Sequence, residues 1–407
     1  MPRAVRRVLL VLAAAGLALA LAAWAVFEVA VGRSSPDPSD LSGLSPGALA
    51  LVEAATREFR DDPAFDHHVH AVGTGEGGSG AHVSPRFSSW LHPRQHVQFR
   101  AYLRAFGIDD PARAESQSVA RFVALARAAG VSRHALLAFD AHYGPDGELH
   151  EAETEFRVPN LHVERVAREH ADLLVPAASI HPYRRDALDE LERAAAAGVR
   201  LVKWLPNAMG MDPADPRCDA FYAALARLGL TLLSHAGEEQ AVESEATQEF
   251  GNPLRLRRAL DAGVRVYVAH CASLGTGVDL DDPALRRVEN FDLFLRLMDE
   301  PRYVGLVFGE ISALTQVGRA GRPLATMLER VDLHERLVNG SDWPLPAIDA
   351  LFQTGRLRDA GYLTADAARQ LDEVWRVNPL LFDLVLKRTV AHPRTGQRFP
   401  AAVFRAR

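Results

Sequence analysis

Asp66-His67-His68-Val69-His70 closes a short apolar segment with two imidazoles two residues apart. On a strand, side chains at i and i+2 leave from one face, so His68 and His70 can grip one metal ion together. Three further candidate ligands end apolar, strand-like runs: His235 after Leu-Leu-Ser, His270 after Tyr-Val-Ala, and Asp342 after Leu-Val-Asn-Gly-Ser. A lone His-x-His is a weak signal, because paired surface histidines are common. Repetition of the same placement along the chain is a strong one.

The elements that would have to position these side chains alternate regularly beyond about residue 60. Strands are expected at 64–70, 133–140, 173–180, 199–204, 230–235, 264–270, 303–309 and 336–341. Amphipathic stretches at 119–129, 185–197, 219–228 and 253–262 lie between them, several ending at glycine. Eight such alternations predict an α/β fold, a (β/α)8 TIM barrel, whose reactive residues gather at the C-terminal ends of its strands. His68 and His70 then end strand 1, His235 strand 5 and His270 strand 6, with Asp342 after strand 8. A doubly wound sheet is disfavoured, since glycine-dense 73–80 is followed by no helix signature. By strand parity Asp66 should face the barrel interior below the two histidines, and His67 should face the helices. Two long connections, about 71–117 and 271–301, are the expected sources of a lid and of substrate contacts.

The 407 residues, 48% hydrophobic with net charge −6, can bury a large core. Basic and acidic residues interleave, which excludes a cationic stripe for nucleic acid. Cys218 and Cys271 are too few for a disulfide framework. Arg3, Arg6 and Arg7 precede an apolar run from Val8 to Phe27, long enough to cross a bilayer. The run predicts a transmembrane helix ahead of the barrel, with a cleaved signal peptide ending near Ala30-Val31-Gly32 as the alternative. Either places the rest of the chain on the extracytoplasmic side, because the cationic flank stays inside. The domain order is then an anchor over 1–31, a Ser-, Pro- and Gly-containing linker over 32–60, the barrel over 61–390 and a tail over 391–407.

With the motifs in order, the chain resembles the amidohydrolase superfamily, and most of all its branch of single-domain metal-dependent hydrolases and decarboxylases. The resemblance covers most of residues 62–385. It rests on Ala64-Phe65-Asp66-His67-His68-Val69-His70, Ser179-Ile180-His181-Pro182, the strand at 198–203, Leu233-Ser234-His235-Ala236-Gly237, Gly340-Ser341-Asp342-Trp343-Pro344 and Asn378-Pro379-Leu380-Leu381-Phe382. Lys203-Trp204-Leu205-Pro206 departs from relatives that carry a histidine before the proline. The resemblance implies His68, His70, His235 and Asp342 as ligands of one Zn2+ or other divalent ion. Such an ion lowers the pKa of a coordinated water from about 15.7 to about 7. The resemblance further implies Asp342 as general base and His270 as a group that orients water and polarises a carbonyl.

His181, Glu238 and Asp66 are candidates for substrate binding or for supporting the ligands. Lys203 stands out because only two of 46 basic residues are lysines, the other being Lys387. At a strand end a slim amine fits where a guanidinium does not. In some superfamily members a carbamylated lysine there bridges two metals, so a two-metal site using Lys203 and His270 is the alternative. The expected activity is hydrolysis of an amide, lactone or ester-like bond of a small molecule. The alternatives are non-oxidative decarboxylation of an aromatic or unsaturated acid and a metal-bound module without catalysis. The oligomeric state is not legible from the sequence.

Overall fold

A computed structural model describes residues 24–242 and 245–407. Most of the expected transmembrane helix, residues 8–23, lies outside the described residues; residues 24–31 are helical. Among the described residues no helix is long and apolar enough to cross a membrane.

Eight parallel strands form the centre: β1 Ala64–His70, β2 Ser132–Leu137, β3 Leu174–Ala177, β4 Leu201–Trp204, β5 Thr231–Ser234, β6 Arg265–Val268, β7 Val307–Glu310 and β8 Leu337–Val338. The neighbours β1-β2-β3 and β4-β5-β6-β7-β8 pair in register. Single bridges join the two groups, Ala178 to Val202 and Val69 to Trp343, so the sheet closes into a barrel. The strands are shorter than the apolar runs suggest. β8 keeps two residues of the expected six, and loop backbone completes the closure: His67 N–H donates to Asn339 O (2.9 Å) and Asp342 N–H to His68 O (2.8 Å). Inside the barrel Ala135, Leu137, Ala177, Leu201, Leu233, Tyr267, Phe308 and Val338 form one apolar cluster, filled by side chains rather than hollow.

Outside lie the longer helices: α1 Pro46–Thr56, α2 Pro93–Phe106, α3 Ala114–Ala129, α4 Asn160–Glu169, α5 Ala187–Ala196, α6 Asp219–Leu228, α7 Asn290–Asp299, α8 Arg322–Glu329, α9 Ala365–Val377 and α10 Pro379–Thr389. Their boundaries follow local chemistry. Gly130 and Gly229, at φ 64° and 65°, end α3 and α6 in the left-handed region that glycine adopts without strain. Asn378 caps α10 by accepting from Leu380 and Leu381 N–H, with Pro379 at the first helical position.

β1 departs from the expected parity, and the reason is a β-bulge. Asp66 pairs with His134 and Val69 with Leu136, so His67 and His68 together oppose Ala135. The extra residue reverses the alternation below it. Phe65 and His67 point into the barrel, where the His67 ring meets Tyr267 edge-on at 5.3 Å. Asp66 instead faces the helices beside His134, whose ring touches Phe122 of α3. The connection at 71–117 is not an open loop either, since α2 occupies its middle.

Candidate metal centre at the barrel mouth

Backbone bonds of the closure seam bring Asp342 against β1. Its carboxylate Oδ1 lies 3.2 Å from His70 Nε2 and 3.4 Å from His68 Nε2; Oδ2 lies 3.9 Å from His270 Nε2. His68 Nε2 and His70 Nε2 are themselves 3.2 Å apart. Ligand atoms of His68, His270 and Asp342 all fall within 4.8 Å of one another. His235, at the end of β5, sets its ring against that of His270 at 5.2 Å, and its buried Nε2 has no hydrogen-bond partner. Backbone is held in the left-handed region at His270 (φ 56°) and Asp342 (φ 57°), strain of a kind that gathers at functional sites.

A divalent cation fits these residues. Bonds of about 2.0–2.1 Å to tetrahedral ligands put neighbouring ligand atoms about 3.3–3.4 Å apart. That is the spacing seen among His68, His70 and Asp342. Glu310 Oε2, 3.1 Å from His68 Nδ1, accepts its proton and so leaves the Nε2 lone pair facing the cavity. Ser312 Oγ, 2.7 Å from His270 Nδ1, fixes that ring. Burial alone would raise the pKa of Asp342, but His68, His270 and His70 outweigh it and hold the carboxyl well below its usual range. Burial pushes His70 down to about 4 and His235 well below its ordinary value, so both present neutral nitrogens.

Lys203, the penultimate residue of β4, sets its amine 3.0 Å from His68 Nε2. Burial pulls its pKa down to about 8 against the attraction of Asp342. Both lysines of the chain are buried; Lys387 bonds Asp383 Oδ2 (2.6 Å) and Gly340 O (2.5 Å), bracing the loop that delivers Asp342.

The remaining candidates divide. Asp66 lies behind the site rather than in it, accepting from His68 N–H (3.0 Å) and Ser341 N–H (2.8 Å) and thereby tying β1 to the Asp342 loop. His181 is buried away from the cavity, 2.9 Å from Met209 O through Nε2 and flanked by Tyr143 and Tyr183. Glu238 stands in the cavity wall and accepts from Gln240 (2.9 Å), while its neighbour Glu239 reaches inward to 3.4 Å from His235 Nε2. Glu310 is the last residue of β7, one position beyond the strand end at 309 that the apolar run suggests, so the strand-end pattern does not single it out. Glu239 and Arg319 carried no strand-end signal.

The centre opens into a cavity of about 860 Å³. Its walls are mainly apolar, with Val72, Val97, Leu103, Phe106, Phe139 and Phe156 among them. α2 supplies one side; residues 71–73, 238–242, 316–319 and 344–351, with Phe139, Phe156 and Val158, supply most of the rest, and none of it comes from the connection at 271–301. Besides Lys203, Arg319 is a buried cation of the wall, donating to Ser273 Oγ (3.0 Å).

Strand-end histidines and an aspartate at the mouth of a closed (β/α)8 barrel form a site suited to a divalent metal ion, in the place where barrel enzymes carry their reactive groups. The chain belongs to the amidohydrolase family, whose sequence model matches residues 65–379. Among solved structures it is similar to an uncharacterised TIM-barrel protein from Bordetella bronchiseptica (16% identity, covering 77% of this chain and 96% of that one, TM-score 0.46). Another is 5-carboxyvanillate decarboxylase from Novosphingobium aromaticivorans with bound manganese (12%, 77% and 94%, 0.43). A third is 2,6-dihydroxybenzoate decarboxylase from Rhizobium (11%, 80% and 98%, 0.41). No curated protein matches the sequence.

Proposed function

We propose that the protein is a metal-dependent hydrolase that cleaves an amide, lactone or ester-like bond of a largely apolar small molecule. The observation that carries this reading is the Asp342 carboxylate, held between His70 and His270 at the floor of a roomy apolar cavity. His68, His70, His235 and Asp342 would hold one divalent ion, Zn2+ being the first expectation. Such an ion would acidify a water and polarise the scissile carbonyl. Asp342 is placed to take the water's proton and return it to the leaving group. His270, its Nδ1 fixed by Ser312, orients the attacking water through Nε2. Glu310 keeps His68 in the tautomer that presents Nε2. The apolar walls exclude bulk water and seat the substrate's body.

Elemental analysis of protein purified without added metal is expected to give about one divalent ion per chain, with activity lost on chelation and restored by zinc. Lys203→Ala should lower turnover and leave the metal near one. Two ions in the wild type and one or none in the variant would replace this site with a lysine-bridged pair.

A second reading, decarboxylation of an aromatic or unsaturated acid, is favoured by Arg319, a buried guanidinium suited to a substrate carboxylate. A panel of lactones, amides and aromatic acids separates the two by CO2 released against water consumed. If the substrate carries a carboxylate, Arg319→Leu should raise its KM about 10- to 100-fold, a loss of roughly 1.4–3 kcal/mol, and leave neutral analogues unchanged. We further propose that the chain is membrane-anchored through Val8–Phe27 with the barrel on the extracytoplasmic side; a spin label at Leu17→Cys in lipid nanodiscs that reports water instead of bilayer would overturn the anchoring.

A further inference from the structure

The helix that walls the cavity also carries an apolar rim on the outer surface. Trp90 and Leu91, just before α2, are 76% and 89% exposed, and Val97, which lines the cavity, is 52% exposed. Trp90 and Leu91 do not line the cavity themselves but lie three and two residues ahead of Pro93, which does, and adjacent exposed Trp and Leu form a patch that water solvates poorly. The chain enters the described structure alongside this same helix. Trp24 lies under Arg100 (6.0 Å) and Phe27 under Arg104 (6.0 Å). Glu28 grips Arg104 with two bonds of 2.6 and 3.0 Å, and Val31 is buried. Residues 24 to 28 therefore advance in step with 100 to 104. The apolar sequence from Val8 to Phe27 thus meets the domain on the flank of α2, not at the far end of the barrel. On that segment Val26 and Val29 point away from the domain, 68% and 75% exposed. Arg94 and Arg100, both exposed, add positive charge to the same flank, which complements anionic lipid headgroups. Trp at such a border is the residue that settles at the level of headgroups.

We propose that the rim formed by Trp90, Leu91 and Val97 rests on the phospholipid bilayer that anchors the chain, so that the cavity draws the apolar part of its substrate from the membrane. The proposal rests on the anchored reading of residues 8–27 and is independent of which bond is cleaved. It accounts for an apolar cavity whose lip is apolar as well, an arrangement that suits a substrate partitioned into lipid and not one taken from water.

The test uses the full chain in nanodiscs of phosphatidylcholine with phosphatidylglycerol. A nitroxide is placed at Leu91→Cys, at Leu17→Cys within the apolar run, and at Val304→Cys, an exposed position in the turn that feeds β7 from the opposite end of the barrel. The native Cys218 and Cys271 are buried and should stay unlabelled. Relaxation by oxygen and by a water-soluble nickel chelate reports the surroundings of each label. The expected result is a several-fold preference for oxygen at 91 and 17 relative to 304. An aqueous signal at 91 with a bilayer signal at 17 overturns the rim proposal and leaves the anchor standing. Aqueous signals at both remove the two together. Protection of 91 from both reagents means that protein, either residues 8–23 or a second copy, covers the patch, which also overturns the proposal.

Discussion

Asp342→Asn should reduce turnover by about 10²- to 10⁴-fold while the metal content stays close to that of the wild type. The size follows from the usual contribution of a positioned general base. Asparagine keeps a neutral oxygen donor at the same place but has no carboxylate to accept a proton. Three imidazoles would remain for the ion, so the coordination and proton-transfer roles proposed for this one side chain separate in the variant. The carboxyl is held well below its usual range by His68, His270 and His70, so protonation of the wild type at neutral pH does not blur the comparison. Turnover and bound metal are measured on the same preparation. Activity within about tenfold of wild type, a barrier change of only ~1.4 kcal/mol, would transfer the base to another group, with Glu239 next in reach of the cavity.

How much of this centre was legible in the sequence depends on strand ends. His68, His70, His235, His270 and Asp342 were readable because each closes an apolar run, and a barrel must expose such positions at one end. The barrel itself was readable from alternation of period-two and helical patterns, though not the strand lengths, because closure by loop backbone at 339–343 leaves no periodic trace. Asp66 and His67 exchanged faces because one bulged residue inverts a strict period of two, and no residue type in Ala64–His70 announces a bulge. α2 was hidden in the glycine- and histidine-containing connection at 71–117. Its apolar positions answer to the cavity and to residues 24–31 instead of one core-facing stripe. Arg319 sits in a loop between β7 and α8, where sequence position says nothing about direction. Lys203 was conspicuous by its rarity and its place near a strand end, and its burial against His68 supplies the physical reason for an amine at that place.

Glu310 is where the fold and the centre depend on the same atoms, and its removal should be the most damaging single change at the barrel mouth. Fully buried, it accepts from His68 Nδ1 (3.1 Å), His270 N–H (3.3 Å), Ser312 N–H (2.5 Å) and Ser312 Oγ (2.7 Å). Burial opposes its ionisation, yet the His68 bond and charge, with Ser312, keep its pKa below the ordinary value. Glu310→Ala would leave four buried donors without an acceptor and open a cavity beneath the ligands, a cost of about 3–5 kcal/mol by analogy with broken buried pairs. Glu310→Gln keeps the volume and one acceptor oxygen but not the charge. It should cost less stability and still weaken metal binding by about 10- to 100-fold, because His68 loses the partner that fixes its tautomer and raises its basicity. Denaturant unfolding of both variants, with zinc titrated into each, separates the two effects. Wild-type zinc affinity in Glu310→Gln would mean that Glu310 only fills space, and His68 would then owe its orientation to the β1 bulge and the Asp342 loop alone.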